Sequence, residues 1–266
     1  MRSIALTVLT LCIASWGVAQ GLYWQTKTEG AAMGERTSEM FAVPKKFKTI
    51  DHGSKEASVT IIRLDKEVVW HLKPEEKTYT EMTFAQLEAM MSKAGGKMDA
   101  QMAKMQKEME KMSPEQRKMV EGMMKGKMPG MGAKDDTPVE VKNTKEKKTI
   151  SGFSCTKYVV TQGEEEMMTL WTTKDVRGFD EMRDDWKAFS NRMASMAQRF
   201  GKGMTEAYKN IDGFPIQTLL GHGITSTVTK VERRSTPSSE FEIPAGYKKT
   251  KGEMEDAMEK MDKEDN

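Results

Sequence analysis

The chain has 266 residues, enough for one large domain or two small ones. Charged residues make up 31% but nearly cancel, to a formal +2. That argues against a nucleic-acid binder, which carries a clustered basic excess. Hydrophobic residues are 37%, so a packed core is possible while part of the chain must be solvated helix or tail.

Residues 1–19 read as a secretory signal peptide. Arg2 is the positive region, Ile4 to Ile13 the apolar run, and Gly17-Val18-Ala19 supplies small residues for cleavage after Ala19. The run is too short for a membrane span, and no other stretch is long enough. Leu11 precedes Cys12 where a lipoprotein signal needs a small residue, so no lipid anchor is expected. These features predict a periplasmic or secreted protein. Removing the signal leaves Cys155 without an internal disulfide partner. It reads as a small buried hydrophobe in a strand, with a reactive thiol as the rival reading.

The mature chain opens with short strands: Leu22 to Thr28, Ser38 to Val43, Phe47 to Asp51, Ser58 to Leu64, Glu67 to Leu72 and Thr78 to Met82. SVTIIRL is rich in β-branched residues, and polar turns at Asp65-Lys66 and Pro74-Glu75-Glu76 predict an antiparallel meander. Residues 83–133 interrupt it as a methionine-rich helical insert. Met82 to Gly132 holds 13 of the chain's 25 methionines and is almost free of β-branched residues. Leu87, Met90 and Met91 predict a short helix ending at Gly95-Gly96. Met98, Met102, Met105, Met109 and Met112 then form one face of a second helix. Ser113-Pro114-Glu115-Gln116 predicts a capping box that starts a third, with Met119, Val120, Met123 and Met124 on its apolar face.

Strands resume at Val139, continue as Lys148 to Thr161 around Ser151-Gly152, then Met167 to Thr173. Phe179 to Phe200 is the strongest amphipathic signal, with Met182, Trp186, Phe189, Met193 and Met196 on one face. Phe214 to Leu220 and Ile224 to Arg234 are joined across Gly221-His222-Gly223, and Glu240 to Ile243 reads as a last short strand. Residues 251–266 form an acidic tail, helical or disordered. Several strands are apolar on both faces, for example Ile62 and Leu64 opposite Val59 and Ile61. A curved sheet wrapped round a helix, or lining a cavity, needs that.

The stretches VTIIRLDKEVVWHLKPEEKTYTEM, SPEQRKMVEGMMKG, GFSCTKYVV, LWTTKDV, DGFPIQTL and SSEFEIPAGYKK resemble an exported bacterial family of unknown function. That family is related to the LolA/LolB-like lipoprotein-carrier half-barrels. The resemblance implies an α+β fold: a curved antiparallel sheet with helices on its concave side, here as one domain over residues 20–250. In the carrier relatives that side holds acyl chains. No carrier residue maps onto this chain by motif.

Four functions fit the residues. The first is non-catalytic binding of a lipid, acyl chain or apolar peptide between sheet and helices, because methionine adapts to irregular apolar shapes. Met98, Met102, Met105, Met109, Met112, Trp186, Phe189 and Met193 are the candidate contacts, with the insert acting as a lid hinged at Gly95-Gly96 and Pro129-Gly130. The second is Cu(I) or Ag(I) binding through the thioethers of Met98, Met102, Met105 and Met109. The third is a structural or interaction module of the cell envelope. The fourth is peripheral contact with an anionic membrane, since Phe84 to Gly132 carries a local +3. No hydrolase, zincin, dithiol or phosphate-loop motif occurs, and His52, His71 and His222 read as surface or structural. The chain is therefore expected to be no enzyme and to need no cofactor, with a hydrophobic ligand or an envelope protein as its partner.

Overall fold

The computed structural model describes residues 18–31, 34–53, 56–110, 112–113, 116, 138–196, 210–252 and 256. Six strands form a first meander: β1 (Val18–Gly30), β2 (Gly34–Val43), β3 (Lys46–His52), β4 (Ala57–Arg63), β5 (Val68–Lys73) and β6 (Thr78–Thr83). Helix α1 (Phe84–Glu110) follows. Then come β7 (Val139–Ile150), β8 (Phe153–Gln162), β9 (Glu165–Thr173), helix α2 (Phe179–Met196), β10 (Phe214–Leu220) and β11 (Ile224–Pro237). A two-residue strand β12 (Lys248–Lys249) closes the described order. All are neighbours in one open sheet, β12-β6-β5-β4-β3-β2-β1-β11-β10-β9-β8-β7. Pairing of β1 with β11, from Val18–Pro237 to Glu29–Thr225, joins the two meanders. Every pairing is antiparallel except β12 on β6.

The sheet is strongly curved. Ser151, in the β7–β8 turn, donates its hydroxyl to the Val228 carbonyl of β11 at 2.6 Å. Three strand spacings separate β8 from β11 in the sheet order, about 14 Å if the sheet were flat. The hydrogen bond forms because the second meander rolls inward. Ile150, Cys155, Trp171, Phe214, Ile216 and Val228 meet Leu22, Ala42 and Phe47 in one buried core inside the roll. Val176, Phe179 and Met182 bring the start of α2 into it. Phe214 stands edge-on to Trp24 at 5.5 Å and to Phe179 at 5.0 Å, tying β10 to β1 and α2. Asp185 of α2 accepts the Lys45 N–H of the β2–β3 turn at 2.7 Å. Cys155 is fully buried in this core, and burial pushes its thiol pKa up.

The opposite face of β2–β5 has a different cover. Val43, Val59, Ile61, Val68, Trp70 and Leu72 pack around Phe241, which is completely buried. The expected strand at Glu240–Ile243 is instead a 3-10 turn, Ser238–Phe241, followed by an extended strap. Alternation alone reads as a strand here, but Phe241 is held by tertiary packing on the sheet face. Ile243 and Tyr247 continue the packing, and the strap reaches the far edge. There Lys248 N–H donates to Lys77 O at 2.9 Å and Thr250 N–H to Tyr79 O at 2.8 Å. The doubly apolar strand β4 thus sits between two packed layers.

Arg63 pins the strap. Its side chain is 4% exposed, so its charge needs full compensation. Nε and Nη2 donate to Asp65 at 2.8 and 2.6 Å, and Nη1 donates to the Phe241 carbonyl at 3.1 Å and to the Glu242 carboxylate. The guanidinium holds the Asp65 carboxyl below its usual range. Lys66 adds a 2.9 Å bond to Glu242, and Lys249 a 2.8 Å bond to Glu81.

Removing the Phe241 ring leaves a cavity between strap and sheet, so Phe241→Ala is expected to cost about 3–5 kcal/mol of unfolding free energy. Guanidinium denaturation followed by tryptophan fluorescence measures it; an unchanged midpoint would show that the strap is not part of the core.

Candidate functional site

Helix α1 is built outward from the sheet. Thr83 and Gln86 form a capping box: the Thr83 N–H donates to the Gln86 side chain at 2.8 Å, and the Gln86 N–H to the Thr83 hydroxyl at 3.2 Å. The T-x-x-Q spacing carries that signal. Phe84 is 2% exposed; its N–H donates to Glu67 O at 2.9 Å, and its ring lies 5.6 Å from Phe189 of α2. The two helices therefore meet at a phenylalanine pair beside the sheet.

The expected stop at Gly95-Gly96 does not occur. α1 runs unbroken for 27 residues, about 40 Å at 1.5 Å per residue. Each helix-interior glycine costs about 1 kcal/mol relative to alanine. Alanine, methionine, lysine, glutamate and glutamine in the flanking turns offset that. The Gly95-Gly96 hinge of the expected lid is accordingly replaced by a continuous helix. Continuity also merges two stripes into one. At about 100° per residue, Phe84, Leu87, Met91, Met98, Met102, Met105 and Met109 fall within an arc of about 60°.

Met98, Met102, Met105 and Met109 lie on α1; the side chains of Met98 and Met102 fall outside the described residues. Met105 is 37% exposed and Met109 part-buried. Met112 is part-buried but sits in a bend beyond the helix, with its N–H on Met109 O at 3.1 Å. Trp186, Phe189 and Met193 lie on α2, where Phe189 is part-buried against Phe84; the Trp186 and Met193 side chains fall outside the described residues. The capping box at Ser113 forms, with Ser113 N–H to the Gln116 side chain at 3.2 Å and Gln116 N–H to the Ser113 hydroxyl at 3.3 Å. The remainder of the expected hairpin, residues 117–133, and almost all of the tail lie outside the described residues.

Leu219 and Leu220, at the β10 tip, join Met105 as the exposed large hydrophobic side chains among the described residues. The leucine pair next to Gly221-His222-Gly223 was the available sequence signal. His52 pairs with Glu39 at 2.9 Å and His71 with Thr60 at 3.3 Å. Among the described residues no three His, Cys, Asp or Glu side chains converge as a metal site. The soft-metal alternative rests on thioethers alone. No helix among the described residues is long and apolar enough to cross a membrane.

Residues 85–247, from the first turn of α1 to the end of the strap at Tyr247, match a family described as a domain of unknown function, DUF4412. The chain belongs to this family. The DUF4412 match covers well over half of the sequence and takes in the insert, α2 and the strap, while β1–β6 precede it. No curated protein matches the chain. Similar solved structures include an uncharacterized conserved protein from Thermus thermophilus, at 9% identity over 86% of this chain and 89% of that one, TM-score 0.42. PNGF-II matches at 10% identity over 90% of this chain and 32% of that one, TM-score 0.39. A chain of the Pseudomonas aeruginosa MucA/MucB complex matches at 10% identity over 85% of this chain and 56% of that one, TM-score 0.37.

Gly96 is exposed on α1, and a Cβ built there meets nothing within 4 Å. Gly96→Ala is therefore expected to raise helicity and to stabilise α1 by about 0.5–1 kcal/mol. Far-ultraviolet circular dichroism and the thermal midpoint read this out; lower helicity in the variant would place a break at this position.

Proposed function

We propose that this chain is an exported, non-catalytic protein that binds a hydrophobic or amphipathic ligand on the methionine face of α1. The single observation carrying the reading is the alignment of Met91, Met98, Met102, Met105 and Met109 on one unbroken helix, with Met105 open to solvent. Unbranched thioether side chains reshape around lipid tails or apolar peptides at low cost. The core inside the sheet is packed by Phe179, Met182 and their neighbours. The proposed ligand face therefore lies on α1 beyond Met91, outside that core. The resemblance to LolA-like carriers supports an acyl chain as ligand. The signal-like first 19 residues support export; cleavage after Ala19 leaves β1 intact from Gln20 onward.

Native mass spectrometry of the full-length protein, with titration of an environment-sensitive apolar dye, tests this reading. An acyl lipid or other apolar ligand is expected to co-purify, and the dye to brighten. Met105→Glu is expected to weaken dye binding about tenfold, the loss of roughly one buried apolar side chain, without moving the denaturation midpoint. If nothing co-purifies and the dye does not bind, the proposal fails. If the dye binds the variant as tightly as the parent, the methionine face is not the site.

A further inference from the structure

We propose that the free edge of β7 is a docking strand for a short, extended, acidic segment of a partner protein. β7 terminates the sheet. At the other end β12 covers part of the β6 edge, but among the described residues β7 pairs with β8 alone.

The turn defines which groups face outward. Ser151 and Gly152 both have positive φ, 50° and 83°, and join Ile150 directly opposite Phe153. This is a two-residue type I′ hairpin, whose flanking residues exchange hydrogen bonds. Alternation then turns the N–H and C=O of Thr149 and Lys147 away from β8. Upstream, the bulge between Asn143 and Lys147 breaks the edge. The straight paired stretch is Lys147–Ile150, long enough for a short segment and too short to template a long strand.

Charge selects the occupant. β7 carries Lys142, Lys145, Lys147 and Lys148 against Glu140 and Glu146, and Glu146 is taken by Lys157 at 3.4 Å. Among the described residues none of these four β7 lysines has a carboxylate partner, although Lys148 lies over the Trp171 ring at 5.8 Å. A second copy pairing edge to edge would set lysines against lysines, and like charges directly opposite are destabilising. An acidic strand meets the same lysines favourably while its backbone bonds to Thr149 and Lys147. The surface is independent of α1, which leaves the sheet from β6 at the far end of the strand order.

Three peptides are measured against the full-length protein by fluorescence anisotropy: a capped peptide alternating aspartate with valine, its lysine-for-aspartate counterpart, and the acidic peptide N-methylated at alternate amides. The acidic peptide is expected to bind, and more weakly as salt rises; the lysine peptide is not. Joint Lys147→Glu and Lys148→Glu substitution should abolish binding. Thr149→Pro removes an outward N–H without taking a β7–β8 bond, a tolerated edge substitution. It should weaken binding about fivefold, the value of one hydrogen bond, and N-methylation, which blocks the peptide donors to both the Thr149 and Lys147 carbonyls, should weaken it further. Absence of acidic-peptide binding overturns the proposal. So does N-methylated peptide binding equal to the parent, which also decides the matter if Thr149→Pro fails to fold.

Discussion

Strand β4 is apolar on both faces, and the rest of the structure follows from covering it twice. Val59 and Ile61 point one way, Ile62 and Leu64 the other. Inside the roll, the second meander and the start of α2 supply the cover. Outside, no helix is present among the described residues, so the strap after β11 does the work. Burying Phe241 brings the chain across the charged Arg63, and the cost of enclosing a guanidinium is offset by Asp65, Glu242 and the Phe241 carbonyl. Arg63 is thus the polar tie that a two-sided apolar sheet requires once its cover is a strap.

The residues inside the roll pack against one another, whereas α1 begins at the Phe84–Phe189 contact beside the sheet and continues to Glu110. Methionine suits such a position. A leucine stripe of the same spacing would specify one packed partner, while thioethers tolerate several shapes.

The strands were legible in the sequence because β-branched runs alternate with turn residues of fixed chemistry. Ser151-Gly152 and Gly221-His222-Gly223 fall at turns as read. Helix α2 was legible from its spacing through Met196. Three features were not. Gly95-Gly96 read as a stop, but glycine weakens a helix by only about 1 kcal/mol, and the capped 27-residue helix absorbs it. The strap read as a strand because Glu-Phe-Glu-Ile alternates; what decides its shape is the distant face of β2–β5. The pairing of Phe84 with Phe189 has no local signature, since neither residue's spacing names the other. The α1 methionines were visible from periodicity, whereas the exposed Leu219 and Leu220 gave no periodic signal.

The most direct measurement is a methyl spectrum of methionine-labelled protein titrated with a monomeric alkyl amphiphile. The account predicts shifts at Met105 and Met109 on α1, with Met168 and Met182 in the buried cores unmoved. Shifts confined to the core methionines would contradict it by placing the ligand inside the sheet, and an unperturbed spectrum would contradict it by removing the ligand altogether.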